Sequence, residues 1–96
     1  MNSCAVRLEL HIPAAQSLKS KRAVLRPHVE RLRKLASLSI AEVGNHDYWQ
    51  RASLGVAIVA PDATQLDSLI ERIRRYFDEQ VDIELLELAV SYLEEP

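Results

Sequence analysis

The chain has 96 residues, 12 Lys+Arg, 14 Asp+Glu and a formal net charge of −2. That length leaves room for one domain, and the charge balance excludes a globally basic nucleic-acid coat but not a local basic face. With 48% hydrophobic and 27% charged residues, the composition is that of a folded domain and too apolar for a disordered chain.

Residues 4–12 alternate with period two. Cys4, Val6, Leu8, Leu10 and Ile12 share one face; Ala5, Arg7, Glu9 and His11 share the other. This predicts a half-buried strand, ended by Pro13, which has no N–H to donate. From 18 to 36 the spacing turns helical, with Leu18, Leu25, Val29, Leu32 and Leu35 or Ala36 on one stripe. Ser17 suits the N-cap. Pro27 removes a helical hydrogen bond at a cost of about 3 kcal/mol, so a kink or break is expected near Leu25–Arg26. Residues 38–47 read as a strand whose apolar phase slips from Leu38 and Ile40 to Ala41 and Val43, the mark of a bulge. Residues 52–60 are apolar or small on both faces, as in a central strand. The segment 45–51 between them reads as a hairpin connection.

Asp62 caps a second predicted helix, with Gln65 three residues on as in a capping box. Leu66, Leu69, Ile70, Ile73 and Phe77 form its stripe. Residues 81–93 fit either a strand with a bulge at Leu85–Leu86 or a helix through Ile83, Leu86, Val90 and Leu93. The β-branched content favours the strand. The order is then β-α-β-β-α-β: a single α+β domain over residues 1–96, a ferredoxin-like sandwich with a four-stranded antiparallel sheet and both helices on one face. Arg7, Glu9, His11, Ala57 and Val59 would line the bare face, which a second copy would cover in a homodimer.

Ser17-Leu18-Lys19-Ser20-Lys21-Arg22, Arg31-Leu32-Arg33, Ser39-Ile40-Ala41-Glu42-Val43, Asp47-Tyr48-Trp49-Gln50-Arg51-Ala52 and Leu54-Gly55-Val56-Ala57 stand in this order along the chain. Together they resemble the YlxP family of small bacterial proteins of unknown function, over residues 4–93. The resemblance implies a ferredoxin-like fold. Genes of that family often lie among those for transcription and translation factors, which implies a link to RNA or the ribosome. Pro27 and His28 are unusual for the family's first helix.

The most informative stretch is residues 16–35. It holds seven bases against the single acid Glu30, a local net charge of +6. Lys19, Lys21 and Arg22 crowd a helix N-terminus, where they oppose the helix dipole. A phosphate there would offset the mismatch, and RNA is the natural source. Lys19, Lys21, Arg22, Arg26 and Arg33 are therefore the candidate anion- or RNA-binding residues. The alternative is a solvated basic face. The segment His46, Asp47, Tyr48, Trp49 and Arg51 is the second candidate surface, since its aromatics can stack a base. Against that stand a turn role for Asp47 and a packing or protein-interface role for Trp49, both favoured by residue type.

His11, His28 and His46 have no metal-ligand spacing, and Cys4 reads as an inert core thiol that has no disulfide partner. No nucleotide-binding glycine fingerprint or nucleophile elbow occurs. The Glu94–Glu95 pair reads as solvated charge. Catalytic residues, metal and cofactor are all expected to be absent. No apolar run approaches the roughly 20 residues of a membrane span and no signal-like segment opens the chain, so the expected compartment is the cytoplasm. The expected function is a non-enzymatic binding domain for RNA or a ribosomal component, or else a homo-oligomeric interaction or regulatory domain.

Overall fold

The structure is a computed structural model that describes residues 1–94. Its elements are β1 (Asn2–His11), α1 (Leu18–Leu35), β2 (Leu38–Gly44), β3 (Arg51–Ala60), α2 (Ala63–Asp78) and β4 (Glu84–Glu94). The strands lie in the order β2-β3-β1-β4, and each neighbouring pair is antiparallel. This is the ferredoxin-like arrangement the alternation predicts, and residues 84–94 take the strand reading.

The core lies between the sheet and the two helices. Val6, Leu8 and Leu10 of β1 and Leu54, Val56 and Ile58 of β3 are buried against Leu25 and Leu32 of α1 and Leu66, Ile70, Ile73 and Phe77 of α2. Register explains why these strands share one buried face. Val6 pairs with Val56 and Leu8 with Leu54, and directly opposed residues point to the same side. Burial also pushes the Cys4 thiol above its ordinary range, so it sits in the core as an unreactive group.

Each strand expected to carry a bulge has one, β4 at the expected place and β2 beyond the Ile40–Ala41 phase slip. Pairing of β1 with β4 steps from Glu9↔Glu87 to Leu10↔Leu85, which leaves Leu86 extra. Pairing of β2 with β3 steps from Glu42↔Leu54 to Gly44↔Ser53, which leaves Val43 extra. The second bulge needs Gly55. A Cβ built there would stand 2.9 Å from a Val43 methyl, closer than two carbons approach. β2 stops at Gly44, short of the expected 47, because Asn45 adopts a left-handed φ of 59°. The Tyr48 N–H then donates to the Asn45 carbonyl at 3.1 Å and closes a turn.

Of the kink or break expected at Pro27, the break does not occur: helix α1 runs from Leu18 to Leu35 with Pro27 inside it. Buried Leu25 and His28 flank the proline, so tertiary packing holds the helical path where local preference would release it. His28 is itself pinned at both ring nitrogens. Nδ1 meets the Tyr76 hydroxyl of α2, and Nε2 lies 2.9 Å from an Asp82 carboxylate oxygen. Both helices are capped. Ser17 and Ser20 form a reciprocal box on α1. Asp62 accepts from the Gln65 N–H at 2.8 Å on α2, and the Gln65 side chain turns back to the same carboxylate. Among the described residues no helix is long and apolar enough to cross a membrane.

Pro27 is exposed, so its replacement tests the cost of the missing hydrogen bond without opening a cavity. Pro27→Ala is expected to raise unfolding stability by about 1–3 kcal/mol. Urea denaturation checks this.

Candidate nucleic-acid interface

Helix periodicity sorts the basic residues of α1 into separate groups. At about 100° per residue, Lys19, Arg22, Arg26 and Arg33 fall within an arc of ~60°. Lys21, Leu25, His28 and Leu32 form the buried stripe next to it. Arg31 lies on a third side, where it donates to the Tyr76 hydroxyl at 3.5 Å. The first arc runs ~21 Å along the helix axis. Arg22, Arg26 and Arg33 line a groove of about 370 Å³ between α1 and β2, with Val29 and Ile40 as apolar wall and Glu30 as an acid on its rim. Among the described residues none of the four cations has an ion pair or a side-chain hydrogen bond.

Lys21 does not belong with them. It is 1% exposed. Its ammonium lies 3.2 Å from Glu42 Oε1, 3.0 Å from the Asn45 carbonyl and 3.3 Å from each of the His46 and Arg51 carbonyls. A buried ammonium needs partners for all three donors, and the two ends of the 45–51 hairpin supply them. Contact between this side chain and an external phosphate is thereby excluded. The charge also neutralises Glu42, which borders the arginine groove. The role was missed because a lysine among bases reads as surface. The available signal was its phase: 21, 25, 28 and 32 repeat at four, three and four residues.

The helix N-terminus is partly satisfied by its own cap. Ser20 N–H donates to Ser17 Oγ at 3.0 Å, and Ser20 Oγ accepts from the N–H groups of Ser17 and Gln16 at 3.0 and 2.8 Å. The capping box uses donors that a phosphate would have needed. The cationic surface is the flank of the helix.

The hairpin lies against this flank at Lys21. Tyr48 and Trp49 are 63% and 55% exposed, so Trp49 does not cover the end of the core as its residue type suggested. The Asp47 carboxylate makes no hydrogen bond among the described residues, and Asn45 rather than Asp47 shapes the turn. His46 Nε2 lies 3.2 Å from the Glu42 carbonyl, and the Arg51 side chain is exposed. At the base of the hairpin Asn45 Nδ2 donates to Ser53 Oγ at 2.8 Å, and Ser53 Oγ donates to Glu9 Oε2 at 2.6 Å. Arg7 Nε donates to the other Glu9 oxygen at 2.8 Å. These bonds, from Ser53 first and then Arg7, hold the Glu9 carboxyl below the ordinary carboxylate range. Among the described residues no group of His, Cys, Asp and Glu is arranged to hold a metal ion. Glu95 lies outside the described residues, as does the side chain of Glu94.

Residues 4–90 match the model of a family described as "Protein of unknown function (DUF503)". The chain belongs to that family. It is also 39% identical over 70 residues to the uncharacterised protein YlxP of Bacillus subtilis (strain 168), a match that covers 73% of this chain and 76% of that protein.

Two outcomes follow from this geometry. Lys21→Met is expected to lower stability by about 3 kcal/mol, since it strips three buried carbonyls and Glu42 of their donor. Arg26→Ala should change stability by less than about 0.5 kcal/mol; chemical denaturation of both variants checks the contrast. For Glu9, the folded pKa is the lowered one. Its stabilising contribution is therefore complete above the ordinary carboxylate range and is lost as pH falls through the folded value. Glu9→Gln should lose less stability than wild type between about pH 5 and pH 3, read from melting temperatures across that range.

Proposed function

We propose that this domain binds RNA, with the flank of α1 on the phosphate backbone and the 45–51 hairpin on an unpaired base. The observation that carries the reading is the stripe of four cations without internal partners, in a domain whose 45–51 hairpin also exposes two aromatics. A chain of net charge −2 gains nothing in solubility by gathering its bases on one arc. Arg22, Arg26 and Arg33 offer planar donor forks suited to phosphate, and Lys19 adds a fourth charge at the end nearest the hairpin. Trp49 and Tyr48 offer ring faces on which a splayed base stacks. The open sheet face is a poorer platform. Its β1 and β3 positions are Ser3, Ala5, Arg7, Glu9, Ser53, Gly55, Ala57 and Val59, with no aromatic ring among them.

In this reading the domain is a binding module and not an enzyme. Lys21, His28 and Glu9, each in its own part of the fold, are engaged in structural hydrogen bonds. A translational setting agrees with the gene context that the family resemblance implied.

Fluorescence anisotropy with a single-stranded RNA oligonucleotide tests the proposal. With four phosphates engaged, log affinity should fall against log salt with a slope of about −3, and the triple Ala variant of Arg22, Arg26 and Arg33 should reduce that slope by about 2. Trp49→Ala should weaken binding by about 1–3 kcal/mol and leave the slope unchanged. Equal binding by wild type and the triple variant would overturn the assignment, and capture of an acidic protein instead of RNA would replace it.

A further inference from the structure

The sheet face turned away from the helices has two unlike halves. The half nearest the hairpin is charged, with Glu9, Glu87 and the His11–Glu84 pair at 3.7 Å. The other half is small and apolar, and two adjoining hollows of about 570 and 720 Å³ lie over it, sharing Ala5, Ala57 and Ser91 as lining. We propose that two copies of this chain pair through this apolar half. The proposal stands apart from RNA binding.

The register supplies the argument. Ser39, Ala57, Ala5 and Ser91 form one row across the four strands. Two residues to one side, Val59 and Leu93 project at 61% and 71% exposure. Two residues to the other side, the same strands carry Gly55 and Ala89. A two-fold axis along the row lays Leu93 of one copy over Ala89 of the other, and Val59 against the half-exposed Val43 side chain that covers Gly55. Leu93 then meets the hollow at Ala89 and Val59 meets an apolar neighbour, each contact occurring twice as an isologous interface requires. Arg7, the one charge at that level, is drawn away from the row by its 2.8 Å bond to Glu9. Glu9 and Glu87 fall outside the overlap.

The size of the patch sets the strength. Seven residues of ~3.3 Å across four strands ~4.8 Å apart cover about 23 × 19 Å. Two such patches measured flat give near 900 Å², before side-chain relief is added, against the roughly 1,000 Å² that a specific interface needs. The dimer is therefore a concentration-dependent one. Pairing by this face leaves α1 of each copy on the outside, so both basic stripes stay open.

Sedimentation equilibrium over a wide concentration range tests the pairing. The wild-type mass should rise from one 10.9 kDa chain toward two. Val59→Glu and Ala89→Arg should remain at one chain throughout, with an unchanged circular dichroism spectrum. Val81→Glu, at a 99% exposed position before β4, should associate as wild type does. A wild-type mass that stays at one chain at the highest concentration would overturn the proposal, as would association of Val59→Glu equal to that of wild type.

Discussion

The buried ammonium of Lys21 is the constraint on which the functional surface depends. It reaches from the second turn of α1 to Glu42 and to the carbonyls of Asn45, His46 and Arg51. The hairpin between β2 and β3 has few apolar contacts of its own, and its aromatics face solvent. What ties it to the helix itself is this one charge with four oxygen partners, while Gln50 bonds the segment before the helix through Ile12, Pro13 and Ala15. A charge buried without such partners is costly, and one with them is specific in geometry. The Asn45–Ser53–Glu9 hydrogen bonds brace the same hairpin from the other side of the sheet. Its position is thus set from two layers, by polar groups in both.

The same residue resolves the electrostatic oddity of α1. Three bases stand near a helix N-terminus with no acid in the first turn, against the dipole. One of them spends its charge on the hairpin carbonyls and Glu42. The capping box satisfies backbone donors without an anion. What remains is a stripe along the helix flank, and it is long, unpaired and bordered by an apolar wall. The small net charge conceals this division: residues 76–96 hold seven acids and no base.

Much of this was legible in the residues. Alternation placed β1 and β3, a phase slip placed the bulge at Leu86, and capping residues placed both helix starts; the bulge in β2 falls at Val43, past the Ile40–Ala41 slip that pointed to it. Those signals are local, and so they survive in a single sequence. The misreadings share a different cause. Pro27 was expected to kink or break α1, and the break is absent because burial of Leu25 and His28 on either side outweighs one lost hydrogen bond. Lys21 has the residue type of a surface base but the helical phase of the buried stripe with Leu25, His28 and Leu32. Of the packing or interface role expected for Trp49, packing over the core does not occur, since the hairpin tip leaves the ring exposed. Each depends on contacts between segments distant in the chain, which composition and period do not encode. Of the five basic residues singled out, four do come together on one flank.

The most direct test of the joint surface is a ¹H–¹⁵N correlation spectrum of the labelled protein, titrated with a single-stranded RNA oligonucleotide. If the flank of α1 and the hairpin act as one surface, the amides of Arg22, Arg26, Arg33 and residues 46–51 shift together along one binding curve. Shifts confined to the open sheet face around Ala57 and Ala89, or none at saturating RNA, would contradict it.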